Sequence, residues 1–251
     1  MTMQTPRNFN QEYQDDDDRK FAYDFDYVLR DYMMRSFAPF LPTGRALEMG
    51  CYKGEFTKKL CSHFDHVTVI EGASDLIEAA RDNLGEENAG KVDFLHGSFE
   101  TIFLANEFDA VFLMHTLEHL DDPIGVLKRV KGWLKPQGKL FLVVPNANAP
   151  SRQIAVKMGL ISHNAAVTEG EQKHGHRRTY SFDTLERDVR ASGLGVQHRG
   201  GIFFKPLANY QFDRLMKTNI ISKEYMDGCY ELGMIYPDLC ASIYFLCGKG
   251  A

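Results

Sequence analysis

The sequence has no uninterrupted apolar run near the ~20 residues that a membrane-spanning helix needs. Its first residues (Thr2, Gln4, Thr5, Arg7, Asn8, Asn10) form no apolar core of a secretory signal. A membrane protein is therefore not expected, and a cytoplasmic location is. Cysteine is sparse: Cys51, Cys61, Cys229, Cys240 and Cys247 are odd in number, and no two stand in a C-x-x-C pair. This speaks against a disulfide framework and a thiolate zinc site and suits reduced thiols. An excess of basic residues is also missing. The net charge is −5, whereas a protein that grips nucleic acid through its phosphates carries a basic stripe. Arg177 and Arg178 beside Lys173 make only a small patch, so no bulk nucleic-acid partner is expected. Internal repeats and low-complexity linkers are absent. What is present is a chain of 251 residues, 44% of them hydrophobic, long enough for one sizeable α/β domain and short for two.

Residues 1–20 are polar and include the acidic run Asp15 to Asp18, which reads as a solvated tail. Over residues 21–40, Tyr23, Tyr27, Leu29, Met33, Met34 and Phe37 recur at helical spacing until Pro39 and Pro42 end the pattern. A strand–helix alternation follows. Strands are expected at 45–49, 67–71, 92–96, 108–115 and 140–144. Between them fall a helix reaching 64, a helix over 75–84 stopped by Gly85, and a third helix. Asp121 or Asp122 caps the third, Pro123 stands at its first position, and Ile124, Leu127, Val130 and Leu134 form its apolar stripe. The near-continuous apolar run from Phe108 to His115 suits a central strand covered on both faces. This alternation argues a doubly wound, mostly parallel sheet. Residues 146–180 hold no clear strand and are rich in His, Asn, Gly and Arg, the composition of a functional loop. A helix over 182–191 behind Ser181, strands at 196–203 and 241–247, and helical patterns within 204–240 complete the chain.

The most informative stretch is Leu47-Glu48-Met49-Gly50-Cys51-Tyr52-Lys53-Gly54. An acid closes a buried strand, a glycine follows in the turn, and a second glycine opens the next helix, so a ligand can approach the main chain closely. A second acid, Glu71, ends the next strand about 20 residues on, the distance expected of a carboxylate that binds ribose hydroxyls. Further along stand Gly97-Ser98-Phe99-Glu100, Met114-His115-Thr116-Leu117-Glu118-His119 and Leu134-Lys135-Pro136-Gln137-Gly138-Lys139. In this order and context the chain resembles the class I S-adenosylmethionine-dependent methyltransferases, most clearly over roughly residues 45–146. It is also similar to the ubiquinone-biosynthesis-type and sugar-modifying small-molecule enzymes. Two departures stand out: Tyr52 replaces the family's middle glycine, and Gln137 replaces a glycine on a surface turn.

The resemblance implies a Rossmann-like α/β fold, a seven-stranded and mostly parallel sheet whose last strand runs antiparallel beside the sixth, with a helical lid. It implies a single domain over 1–251: an N-terminal tail and helix (1–44), a cofactor-binding core (45–146), and lid or substrate insertions (147–180 and 204–240). It implies S-adenosylmethionine as cofactor, held by Glu48, Gly50, Cys51, Tyr52, Gly54, Glu71, Gly72, Ala73, Ser98, Phe99, Met114 and His115. The implied reaction is methyl transfer to an O, N or C nucleophile of a small molecule.

For proton transfer, His119 and then His115 stand where the methyl group should point, and histidine exchanges protons near neutral pH. Arg152, His163, His174, His176 and Tyr180 are the candidates for contacting the acceptor, the arginine suiting an anionic group. His174 and His176 are close in sequence, but no spacing fixes three metal ligands, so no metal site is expected. The aromatic residues Phe203, Phe204, Tyr210, Phe212, Tyr225, Tyr230 and Tyr236 are expected mainly as core. Two rivals remain at this point. A non-catalytic protein could keep the cofactor site for sensing or partner binding. A nicotinamide-dependent oxidoreductase would need G-x-G-x-x-G after the first strand, which this chain does not have. The oligomeric state is open, a homodimer included.

Overall fold

The computed structural model describes residues 7–15, 20–105 and 107–250. In chain order the elements are α1 (Phe9–Glu12), α2 (Asp24–Phe37), β1 (Arg45–Met49), α3 (Glu55–Leu60), β2 (His66–Glu71), α4 (Ser74–Leu84), α5 (Glu86–Ala89), β3 (Val92–His96), β4 (Phe108–Met114), α6 (Pro123–Trp133), β5 (Leu134–Pro145), α7 (Pro150–Lys157), α8 (Glu169–Lys173), α9 (Phe182–Ala191), β6 (Leu194–Phe204), α10 (Asn209–Met216), α11 (Lys223–Ile235) and β7 (Cys240–Lys249). The strands form a seven-stranded sheet in the order β3-β2-β1-β4-β5-β7-β6. Pairing is parallel from β3 through β5, while β7 runs antiparallel to both β5 and β6. This is the expected Rossmann-like architecture, last strand included.

The central strands are apolar on both faces because each face is covered. Alternate residues of β1 enter two separate cores: Ala46 joins the one beneath α2, α3 and α11, and Leu47 and Met49 join the one beneath α6 and α9. Helix α2 buries Phe25, Leu29, Tyr32, Met33, Met34 and Phe37, and burying each such side chain stabilises the fold by about 1.5–3 kcal/mol. Its first turn is capped from a distance. Buried Asp213 of α10 accepts the backbone N–H groups of Asp24 and Phe25 at 3.2 and 2.9 Å. The order in which the strands are laid down reverses between β1 and β4, which opens a crevice at their carboxyl ends, the usual ligand position in such sheets.

Several expectations need correction. Residues 7–15 are not a solvated tail: Asn8 caps α1 by accepting from Asn10 N–H at 3.2 Å, and the helix lies against α4. Of the acidic run, Asp15 accepts from Phe21 N–H at 2.7 Å, and Asp16 to Asp18 fall outside the described residues. Leu134 is not the last residue of α6 but the first of β5. It pairs with Phe108, Ala110 pairs next with Lys139, and the intervening Lys135–Gly138 bulges out of the ladder. Residues 146–180 carry two helices, α7 and α8, and a parallel bridge from Asn146 to Tyr180. The helices were hidden because α7 and α8 bury no residue fully and so show no apolar stripe. Residues 204–240 also enter the core, for Phe212, Met226 and Tyr230 are buried. Among the described residues no helix is long and apolar enough to cross a membrane.

Candidate active site

At the carboxyl end of β1 the chain turns through two glycines and a tyrosine in left-handed conformation: Gly50 (φ 83°), Tyr52 (φ 50°) and Gly54 (φ 81°). Tyr52 keeps the conformation that glycine would adopt freely, and its ring is held by stacking on Phe21 at 5.2 Å between centroids. Gly54 does not line the cavity. It is required by packing, since a Cβ there would sit 3.0 Å from Ala80 Cβ, where α3 and α4 cross. The turn is tied to both neighbouring strands. Gly50 N–H donates to Ile70 O at 2.8 Å, and Thr116 Oγ1 donates to Met49 O at 3.1 Å.

Two buried acids face this turn. Glu71 accepts the N–H of Cys51 and that of Ala73, each at 3.0 Å. Burial raises its pKa, while the backbone N–H groups around it oppose that rise. Glu48 is 1% exposed. One of its oxygens accepts from Thr57 Oγ1 at 2.6 Å, and the other has no partner among the described residues. Burial pushes its pKa up to about 8. Arg30 of α2 lines the same cavity, with its guanidinium 4.8 Å from the Tyr27 ring and a buried Nη1 that has no acceptor among the described residues.

The cavity holds about 630 Å³. Of the residues expected from the sequence, Glu48, Gly50, Cys51, Tyr52, Glu71, Gly72, Ala73, Ser98, Phe99, Met114, His115, His119, Arg152, His174 and His176 line it. His163 and Tyr180 do not. His163 is exposed on the segment between α7 and α8. Tyr180 is buried in the core, its hydroxyl donating to Asp188 Oδ2 at 3.2 Å. Arg152 reaches the wall but is spent internally, on Glu171 Oε1 at 2.6 Å, on Asn164 O at 2.7 Å and on Ala166 O. Arg177 binds Asp121 at 3.0 Å, and Arg178 binds the carbonyls of Leu120 and Asp121. The arginines of this region therefore brace the loop rather than wait for an anion.

The histidines sit at the far side of the crevice. His115 follows β4 with φ 51°, and its Nε2 lies 2.8 Å from Ser242 Oγ. Burial depresses its pKa to about 3. Burial, then the neighbouring His176 and Arg7, hold His119 well below the usual histidine range. Both imidazoles are thus neutral at physiological pH. Glu118, between them in sequence, is raised to about 8 by burial. Sequence spacing suggested no metal ligands, yet the fold brings one ligand atom each of Glu118, His119 and His176 within 4.8 Å of one another.

Sequence reasoning missed the N-terminal cover. Arg7 donates to both oxygens of Glu12 at 2.6 Å and to His119 O at 2.8 Å. Phe9 packs on Gly72, where a Cβ would come within 2.9 Å of its ring. Asn10 reaches Ser74 Oγ at 3.2 Å and Asp75 Oδ1 at 3.1 Å. The one local signal was Asn8 as a helix cap. Glu100, which closes the Gly97–Glu100 stretch singled out in the sequence, lines the cavity and accepts a hydrogen bond from Ser98.

Residues 21–199 match the family model described as a methyltransferase domain. The chain belongs to that family. A ubiquinone biosynthesis O-methyltransferase of Xanthomonas axonopodis pv. citri (strain 306) is 30% identical to it over 171 residues, 67% of this chain and 70% of the relative. A solved methyltransferase from Thermotoga maritima shares the fold with TM-score 0.61 at 20% identity, over 89% of this chain and 92% of the other. The N-methyltransferase NodS from Bradyrhizobium japonicum WM9, in complex with S-adenosyl-L-homocysteine, does so with TM-score 0.58 at 15% identity, over 96% and 95%. The methyltransferase uses S-adenosylmethionine, which sets aside the nicotinamide-dependent and non-catalytic readings. The site fits that cofactor's amino-acid end. A buried carboxylate oxygen and a buried guanidinium nitrogen, both without partners, are what an ammonium and a carboxylate require.

Proposed function

We propose that this methyltransferase acts on an oxygen, nitrogen or carbon nucleophile of a small molecule, with oxygen the best supported by the relatives' names. The observation that carries the reading is the continuous cavity of about 630 Å³ that joins the Glu48–Glu71 crevice to the wall formed by His119, His174 and His176. It has room for a cofactor and a small acceptor and lies beneath the cover of residues 7–15 and 20–23.

In this reading Glu71 takes the ribose hydroxyls; two N–H groups leave its carboxylate further acceptor capacity. Gly72 and Ala73 flank it, and Gly50, Cys51 and Tyr52 shape the turn against the methionine part, with Gly54 holding that turn to α4. Glu48 takes the ammonium and Arg30 the carboxylate. Ser98, Phe99 and Glu100 border the adenine, and Met114 with His115 lies beside the reacting centre. When bound, the cofactor supplies a methyl group already activated on a sulfonium. The protein's own work is alignment and exclusion of water. Neutral His119, and then His115, accept a hydrogen bond from the acceptor's nucleophile, as do His174 or His176 beside His119 on the same wall. The buried free cysteines accord with a reducing cytoplasm.

Calorimetric titration with S-adenosylmethionine, followed by transfer of a labelled methyl group to a panel of phenols, alcohols and amines, tests the reading. Micromolar binding lost in Glu71→Ala and label in a hydroxyl compound are expected. A folded protein that binds the cofactor yet labels only a macromolecule would refute the small-molecule assignment.

A further inference from the structure

Glu118 lies on the 3-10 turn Leu117–His119, 1% exposed, and neither oxygen of its carboxylate has a hydrogen-bond partner among the described residues. Withdrawing a carboxyl group from water without replacing its hydrogen bonds is costly, and a native structure that does so calls for an explanation. The surroundings suggest one. Arg177 N–H donates to Glu118 O at 2.8 Å, which lays the 176–178 segment against the turn. The rings of His119 and His176 meet edge-on there, 4.5 Å between centroids at 71°. One ligand atom from each of Glu118, His119 and His176 falls within 4.8 Å of the other two. Metal bonds of about 2 Å place ligand atoms roughly 3–3.5 Å apart, a distance that small side-chain rotations reach from here. Nearby positive charge is offset, Arg7 by Glu12 at 2.6 Å and Arg177 by Asp121 at 3.0 Å.

We propose that Glu118, His119 and His176 bind a divalent first-row transition-metal cation. Two imidazoles and one carboxylate match the preferences of Zn²⁺, Fe²⁺ and Co²⁺, whereas Mg²⁺ favours oxygen ligands throughout. Three protein ligands leave further coordination positions. Because all three side chains line the cavity, water or an oxygen of the methyl acceptor fills them. A cation bound there takes the place of the hydrogen bond to His119, lowers the pKa of a coordinated hydroxyl and spares the site a strong base. That last role rests on the methyl-transfer reading above; the binding of the cation does not.

The test is titration of tag-free protein with Co²⁺, read by calorimetry and by visible absorption. Cofactor binding and melting temperature are measured on the same samples. A single equivalent with a d–d absorption band is expected. Glu118→Gln and His176→Ala should each weaken it by more than roughly 100-fold, while S-adenosylmethionine binding persists and His163→Ala, on the exposed segment, changes nothing. Zn²⁺ added to the wild-type protein should shift the imidazole NMR signals of two of its nine histidines, a readout independent of how the variants fold. No Co²⁺ binding, Mg²⁺ displacing Co²⁺ at equal concentration, or binding that leaves those two histidines and the two variants unaffected would overturn the assignment. Cation binding without cofactor binding would instead undo the methyl-transfer reading and leave this site standing.

Discussion

Glu48→Gln isolates the cost of keeping a carboxyl group at the end of β1. Glu48 is 1% exposed, receives one hydrogen bond from Thr57 at 2.6 Å, and has a second oxygen without a partner. Burial pushes its pKa from 4.5 to about 8. A folded-state value above the unfolded one means that the folded chain keeps a proton the unfolded chain releases. The contribution to stability is therefore complete below pH 4.5 and drains as pH rises toward 8. Each pH unit in that window is worth about 1.4 kcal/mol, so the roughly 2.5 units up to neutrality cost the wild type roughly 3 kcal/mol. Glutamine keeps the shape and the bond from Thr57 but does not titrate. Urea unfolding of both proteins from pH 4.5 to 8, without cofactor, should show nearly equal stability at the acid end and a variant more stable by roughly 3 kcal/mol at pH 7. Other titrating groups cancel in the difference. The same variant should bind S-adenosylmethionine more weakly, because the ammonium loses its counter-charge. A stability difference that stays constant across the pH range would refute the argument, whatever its sign.

Other outcomes follow from the same geometry. Arg30→Ala should weaken cofactor binding by about 10–100-fold in Kd, read by calorimetry, through loss of a charge-assisted hydrogen bond. Gly54→Ala puts a Cβ 3.0 Å from Ala80 at φ 81° and should cost about 2–4 kcal/mol in denaturant unfolding. Gly132→Ala, exposed in α6 with nothing within 4 Å of the new carbon, should stabilise by about 0.5–1 kcal/mol in the same assay. Asn146→Ala should cost roughly 3 kcal/mol. It strands the carbonyls of Asp238 and Cys240 and the N–H of Asn148, which the amide now satisfies at 2.8, 3.0 and 2.9 Å.

The strand–helix alternation and the crevice were legible in the sequence because their causes are local. Apolar runs mark β1, β4 and β5, since a strand buried on both faces has no polar side. Glu48, Gly50 and Glu71 were legible because strand ends and tight turns restrict residue type within a few positions. The covering layer was not. α1, α7 and α8 bury no residue fully, so no periodicity announces them, and they are held by contacts made far along the chain, such as Arg7 to the carbonyl of His119. Arg30 read only as a polar position on an amphipathic helix; nothing nearby in sequence shows that α2 brings it to the cavity that Glu48 lines. For His163 and His176 composition could not choose, for both lie in one irregular, histidine-bearing segment. The pairing of Arg177 N–H with Glu118 O carries one histidine into the cavity, and the loop leaves the other in solvent. The sequence by itself determined the sheet, the glycine turn and the acids that face it, because backbone conformation and burial act over a few residues. Which side chains meet across the cavity was decided only by the tertiary structure, because those distances depend on how separate elements pack.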